Sequence, residues 1–332
     1  MTPPGGADGS VRPGRGLVRK SVLILISAAL VVYLLMQVDA RAVLDVIVRF
    51  PVGYLFCGFV LFIAGHFVRA LRFRILLGSS SPVKGLFRII AVQTAAVGFL
   101  PFRAGEFSLI YLLKREQGVD YAKGAAVLML SKALDFLVVL ALFFVSFSTL
   151  TAIPDFYREL MPWAGGLFLV SAAALFMMGR AREIYARLPG FFKEGPLAEG
   201  KLMTGVKKVF KGAEVIRSKS TLLASFGVTL VLWVLLYGSS FFIYYGLGLN
   251  LALLEMVFIT TSMSLFANLP IHSPGGFGTV ESFWTILLMA LGIPKTVGIP
   301  TGFTSHLVST LFTLVFMLYG LGLLKKRKAL ES

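Results

Sequence analysis

Apolar residues run along this chain in blocks of helical length rather than in alternation. Uninterrupted blocks at about 20–38, 51–77, 123–150, 159–179, 219–247 and 299–324 each approach or exceed the ~20 residues that carry an α-helix across a bilayer. Transmembrane β-strands would alternate apolar and polar positions, and these blocks do not. Two further apolar regions are interrupted: residues 86–116 by LPFRAGEF (100–107), and residues 251–291 by ANLPIHSPGGFGTVESF (267–283). Each half is then roughly 14–19 residues, short for a span. The pattern predicts an all-α polytopic membrane protein with about six full transmembrane helices plus two broken, re-entrant helical hairpins. A broken backbone at membrane depth is tolerated where protein or a watery cavity satisfies its freed N–H and C=O groups.

The two breaks look like copies of one another. Each reads Leu-Pro, a Gly-rich break, a glutamate, a short apolar helix, Gly-Val or Gly-Ile, then a long apolar block. The glutamates are Glu106 and Glu281, and the glycines that follow are Gly118 and Gly292. Three full spans separate the hairpins. An odd number makes the second hairpin enter from the opposite face, which predicts an inverted-topology repeat with a site between the breaks.

Charge orients the chain. The segments 1–20, 69–88, 114–123, 180–219 and 325–332 hold 26 of the 32 Lys and Arg. Arg41, Arg49, Arg158 and Lys295 fall on the opposite side, and Arg103 and Lys132 fall inside apolar regions. By the positive-inside rule both termini are expected in the cytoplasm, in a multi-pass protein of the cytoplasmic (inner) membrane. The formal net charge of +16 therefore reports topology and not nucleic acid. The expected organisation is a disordered basic tail at 1–19, a transmembrane domain at 20–325 and a basic tail at 326–332. Its first half is about 20–179, its cytoplasmic linker 180–218 and its second half about 219–325. Residues 21–38 also fit a secretory signal ending at Ala40-Arg41-Ala42, but the following spans need a cytoplasmic start, so an uncleaved span is expected. In the linker, Leu202, Val206, Val209, Ala213 and Ile216 share a helical face, with Lys201, Lys207, Lys208 and Lys211 between them. That suits a helix lying on anionic headgroups, and equally a linker obeying the charge rule.

Composition sharpens the picture. The chain is 57% apolar and 14% charged, with mean hydropathy +0.85. The single cysteine, Cys57, excludes an intramolecular disulfide and any Cys-based zinc site. Against this background, ionisable groups at membrane depth are costly and by default mark a site. The candidates are Arg103, Glu106, Lys132, Asp135 and Glu281, with Gly275, Gly276 and Gly278 letting backbone approach a ligand closely. Arg69, His272 and His306 are secondary. Lys132 and Asp135 are three residues apart, so they share a helix face and can neutralise each other. Arg103 and Glu106 have the same spacing. Glu106 and Glu281 also suit helix capping. Arg69, Arg72 and Arg74 suit anchoring at the cytoplasmic end of their span, and His272 suits a hairpin tip. In the functional reading, half-helix N-termini and Arg103 or Lys132 hold a phosphate, while Glu106, Asp135 and Glu281 bind a cationic group or exchange protons.

No P-loop, dinucleotide fingerprint, HExxH or GxSxG is present, and the glycines at 275–278 follow no strand. No enzyme activity, cofactor or metal is expected. The ordered set RALRFRILL (69–77), LPFRAGEF (100–107), SKALDFLVVL (131–140) and LPIHSPGGFGTVESF (269–283) resembles the transmembrane, flippase-like domain of lysylphosphatidylglycerol synthases and its standalone relatives, over about residues 20–325. The resemblance implies lipid movement between leaflets and functional interest in Arg103, Glu106, Lys132, Asp135 and Glu281. Many members carry Arg at the Lys132 position and a basic residue where Leu109 stands, so a shared headgroup specificity does not follow. The family's soluble aminoacyltransferase domain is not in the sequence, so the chain is not expected to make lysylphosphatidylglycerol itself. The expected function is a lipid flippase or lipid transporter whose ligand bears an anionic or phosphate headgroup. A second copy of the chain and a lipid-modifying enzyme are the candidate protein partners. The alternatives are a non-catalytic membrane partner of a lipid- or glycan-lipid-modifying enzyme, a membrane enzyme acting on lipid-linked substrates, and a soluble-ion or drug transporter.

Overall fold

The computed structural model describes residues 40–78, 81–100, 105–150, 155–179, 219–269 and 273–331. The expected tail at 1–19, the span at 20–38 and the linker at 180–218 lie outside the described residues. Ten α-helices account for nearly all of the rest: α1 (Ala40–Arg49), α2 (Val52–Leu77), α3 (Val83–Phe99), α4 (Gly105–Gln117), α5 (Tyr121–Phe147), α6 (Asp155–Gly179), α7 (Lys219–Gly246), α8 (Leu253–Phe266), α9 (Thr279–Ala290) and α10 (Lys295–Glu331). The chain is a polytopic membrane protein. Within α2, α5, α7 and α10 lie four segments long and apolar enough to cross a bilayer. Side chains such as Phe56, Val145, Leu223, Val234 and Leu318 point outward, away from the protein.

Three expectations change. The 159–179 span belongs to a 25-residue helix that contains Pro162, and its apolar stretch is only Met161–Ala173. Residues 40–49, expected as a loop, form α1. Its charges Arg41, Asp45 and Arg49 recur every fourth position on one stripe, while Val46 and the adjoining Phe50 pack into the protein. The expected basic tail from 326 is helical as far as Glu331.

The interrupted regions fold as two pairs of short helices, with 17, 13, 14 and 12 residues in α3, α4, α8 and α9. At 1.5 Å per residue these are roughly 18–26 Å long, short of the ~30 Å hydrocarbon core. α3 stops where Leu100 turns extended before Pro101, as a residue preceding proline favours. After α8 a 3₁₀ turn at Pro274–Gly276 leads to α9. Gly275, Gly276 and Gly278 all have positive φ there, 69°, 77° and 86°, a region that side-chain-bearing residues seldom enter.

The packing pattern survives exchange of the two halves. α2 lies along α7. α10 packs on α3 as α5 packs on α8; α9 packs on α10 as α4 packs on α5; α7 meets α8 as α2 meets α3; and α1 meets α10 as α6 meets α5. Lys123 Nζ donates to Leu77 O at 2.9 Å, a cation on the carbonyl end of α2. It fixes the end of α2 and the start of α5 at one end of the molecule. Two apolar clusters fill the interior. One joins Phe73, Leu86, Ile90, Leu109 and Leu130 to Phe316 of α10; the other joins Phe143 and Phe147 of α5 to Phe258, Trp284 and Phe312. The polar stretch of α5 sits where one cluster gives way to the other.

Candidate functional site

Asp135 lies near the middle of the 27-residue α5, where neighbouring helices and not lipid must supply its partners. Arg72, which is 1% exposed, reaches it from α2. The guanidinium grips the carboxylate with two bonds, Nη1 to Oδ1 at 2.6 Å and Nη2 to Oδ2 at 3.1 Å. This planar fork is the strongest common side-chain pairing. From α7, Thr229 Oγ1 accepts from Arg72 Nη1 at 3.1 Å, and Trp233 Nε1 donates to Asp135 Oδ1 at 3.0 Å. One ion pair thus ties α2, α5 and α7 together.

One turn before Asp135, Lys132 turns to a different acid. Its Nζ lies 2.7 Å from Glu106 Oε1 and donates to Asn268 Oδ1 at 3.1 Å. Glu106 is in the first turn of α4, favourable for a carboxylate. Its place depends on Gly105, where a β-carbon would overlap the Ala96 carbonyl of α3. Asn268 follows α8 and is oriented by its own bond to Ser264 O at 2.7 Å.

The second half repeats this arrangement. Glu281 lies in the first turn of α9, 1% exposed, with Oε1 2.7 Å from His306 Nδ1 on α10. An ionised carboxylate only accepts, so Nδ1 carries the hydrogen. Glu106 and Lys132 are 26 residues apart, Glu281 and His306 25. Each half therefore ties the start of its second short helix to its long helix by a carboxylate and a nitrogen base. Glu281 Oε2 accepts from Gly278 N at 2.6 Å.

Two cavities adjoin these groups. The first, about 240 Å³, is walled by α2, α3, α4, α5, α7 and the end of α8. Arg69, Arg72, Lys132, Glu106 and Asp135 line it, one more cation than carboxylate, with Gln93 and Asn268 as neutral polar neighbours. Arg72 Nε and the Thr94 and Ser131 hydroxyls, all in this wall, are buried and make no hydrogen bond among the described residues. Buried donors of this kind call for an acceptor. The second cavity, about 220 Å³, is lined by Gly275, Gly276, His306, Ser309 and Thr313. It shares Val97 and Ala267 with the first.

The structure brings Glu106, Lys132, Asp135 and Arg69 to one cavity and Gly275, Gly276 and His306 to the other, with Glu281 and Gly278 bonded behind His306. Arg103 and His272 lie outside the described residues. Lys132 and Asp135 share a face, and each takes a bonded partner from another helix, Glu106 for Lys132 and Arg72 for Asp135. One expectation is corrected. Arg72 is no interfacial anchor, because it is buried and holds Asp135. The N-terminus of α9 is also less open than expected, because Glu281 takes the Gly278 N–H that a phosphate would use. Sequence reasoning passed over Asn268, Gln93, Thr229 and Trp233. Arg72 had a signal, since it stands amid Leu and Phe several residues inside its helix, where an ionisable group is functional by default. Among the described residues no cluster of His, Cys, Asp and Glu has metal-binding geometry.

The sequence profile of the family described as the lysylphosphatidylglycerol synthase TM region matches residues 21–316. A UPF0104 membrane protein of Pyrococcus horikoshii is 23% identical over 344 residues, covering 95% of this chain and 99% of that relative. No solved structure matches the chain.

Proposed function

Since the chain belongs to the lysylphosphatidylglycerol synthase transmembrane-region family, we propose that it moves a polar-headed membrane lipid between leaflets. The headgroup passes through the two adjoining cavities while the acyl tails stay in the bilayer. The observation that carries this reading is the cation-rich cavity near the middle of α5, with Arg72 Nε and the Ser131 hydroxyl unused in its wall. Unmet donors beside an excess of positive charge suit a phosphate or another anionic headgroup.

The route is a membrane-depth one. The short helix pairs α3–α4 and α8–α9 are re-entrant hairpins, each turning back at its break. Their exchangeable packing and the matched carboxylate–base pairs support an inverted repeat, in which the two hairpins enter from opposite faces and the site lies between their tips. Lys84 at the start of α3, Lys114 and Arg115 at the end of α4 and Lys123 at the start of α5 mark the end of the α3–α4 pair that faces the cytoplasm under the charge rule. The lipid leaves chemically unchanged, so no catalytic residue is assigned.

Leaflet exchange of fluorescent phospholipids in liposomes containing the purified protein tests the reading. Wild type should exchange an anionic lipid, and Lys132→Ala and Glu106→Gln should lower the initial rate about tenfold or more, equivalent to ~1.4 kcal/mol. Absence of exchange across anionic, zwitterionic and polyprenyl lipids would leave a non-transporting membrane partner as the better account.

A further inference from the structure

The two carboxylate–base pairs are equivalent in position but not in chemistry. A lysine ammonium ordinarily gives up its proton only far above neutral pH, whereas an imidazole is the side chain that gains and loses its proton near neutrality. The transport reading leaves this difference unused. We propose that the Glu281–His306 pair is the proton-binding site that couples lipid movement to a transmembrane proton gradient, with a proton and an anionic lipid moving together. The proposal rests on the transport reading above.

The geometry assigns each atom a part. His306 Nδ1 is committed to Glu281 Oε1 at 2.7 Å. The other edge of the ring, Cε1 and Nε2, faces the Gly276 backbone, where a β-carbon would come within 3.4 Å of Cε1. That edge borders the second cavity, which His306 lines. The proton therefore arrives at Nε2 from the cavity and leaves from the same atom, while Nδ1 keeps its own hydrogen and donates it to Glu281 Oε1. The one bond made and broken is Nε2–H: the Nε2 lone pair takes the proton and recovers the electron pair when the proton leaves. Phe277 covers the ring at 4.6 Å between centroids, and Glu281 is almost wholly buried.

Electrostatics links the proton to the lipid. With His306 neutral, the Glu281 carboxylate behind the ring sets an uncompensated negative charge next to this cavity, which repels an anionic headgroup. With His306 protonated, the pair is neutral and the headgroup can pass between the cavities across Val97 and Ala267. Among the described residues, the wall of this cavity holds no other charged or titratable side chain. α3 presents Val97 to Leu100, the break presents Ser273, Gly275 and Gly276, and the end of α8 presents Ala267. Glu281 is the one titratable residue of α9. His66 of α2 and Tyr237 of α7 line a third cavity, which meets this one at Ser309 and Thr313. The α1 charges Arg41, Asp45 and Arg49 line neither of the two headgroup cavities.

The test uses the full chain in liposomes with a fluorescent anionic phospholipid and an imposed pH difference, the membrane potential being clamped. With one proton per singly charged lipid, the steady-state leaflet ratio should shift about tenfold per pH unit, since a pH unit is a tenfold ratio in proton activity. His306→Lys and His306→Gln freeze position 306 charged and uncharged, which leaves the pair neutral and one unit negative respectively. Both should abolish the pH-driven asymmetry, and His306→Lys should still equilibrate lipid between leaflets. A wild-type ratio near one at every gradient, with exchange intact, overturns the coupling and spares the transport reading. Retention of the asymmetry in either variant overturns the assignment to His306. Absence of any exchange in wild type removes the transport reading and the coupling with it. Should one variant fail to fold, the other still decides.

Discussion

Arg72 and Asp135 form a pair whose two members differ in access to water. The arginine side chain is 1% exposed and the aspartate 19%, on the cavity side. Removing one partner of a buried pair leaves an uncompensated charge and costs ~3–5 kcal/mol, while replacing both by apolar groups is often near neutral. Asp135→Leu should therefore destabilise the protein more than Arg72→Ala, because it strands the more deeply buried charge. Joining Arg72→Leu to Asp135→Leu should restore most of the loss. Unfolding in detergent checks the order, and a double variant no better than the worse single one would sink this account. Trp233 and Thr229 hold the pair from α7, so the single variants should also loosen α7 against α2. No residue-level pattern marks Trp233 or Asn268 in advance. An indole N–H or an amide amid apolar residues looks the same whether it meets a carboxylate or not.

At the scale of elements, the short helices depend on close approach. α4 begins at Gly105 against the backbone of Ala96 and Val97, with no room for a β-carbon. Without a hydrophobic driving force between helices in lipid, small residues at contacts supply the packing. Gly105→Ala should push α4 from α3 and cost about 1–3 kcal/mol, the usual range for overpacking. Gly227→Ala in α7 is the control: nothing lies within 4 Å of its β-carbon position, so better helix propensity should leave stability unchanged or raise it by up to ~1 kcal/mol. Equal effects of the two would show that α4 does not need this contact. Displacing α4 also moves Glu106 from Lys132, so Gly105→Ala should slow lipid exchange as well. The breaks were legible because Pro and positive-φ Gly act locally. α1 was not, because ten residues are too few for an apolar block to stand out.

Over the whole molecule, the exchangeable packing carries a topological prediction. The loop after α4 and the loop after α9 are equivalent, and in an inverted repeat they face opposite sides of the membrane. Arg115 and Thr296 are exposed beside these loops. In a Cys57→Ser background, Arg115→Cys should react with a membrane-impermeant maleimide only from the cytoplasmic side, and Thr296→Cys only from the other. Labelling of both from one side would rule out opposed hairpins. The two cavities meet where the ends of α3 and α8 pass each other, so the site belongs to the relation between halves and not to either half. Opposed hairpins would thus form the site and its two exits together.

The sequence by itself determined the helical, membrane-spanning character, both breaks and the correspondence of Glu106 with Glu281. Hydrophobic block length, proline and glycine act within a few residues, so their consequences can be read along the chain. It also nominated Glu106, Lys132, Asp135 and His306, because ionisable groups amid apolar neighbours are conspicuous. Only the tertiary structure decided their partners. Asp135 lies three residues from Lys132 yet takes Arg72, 63 residues away, and Lys132 takes Glu106 and Asn268. On one helix, residues three apart share a face, but the angle at which other helices cross that face decides which charge comes within 3 Å. That angle is set by packing summed over many helices, and no local stretch of sequence encodes it.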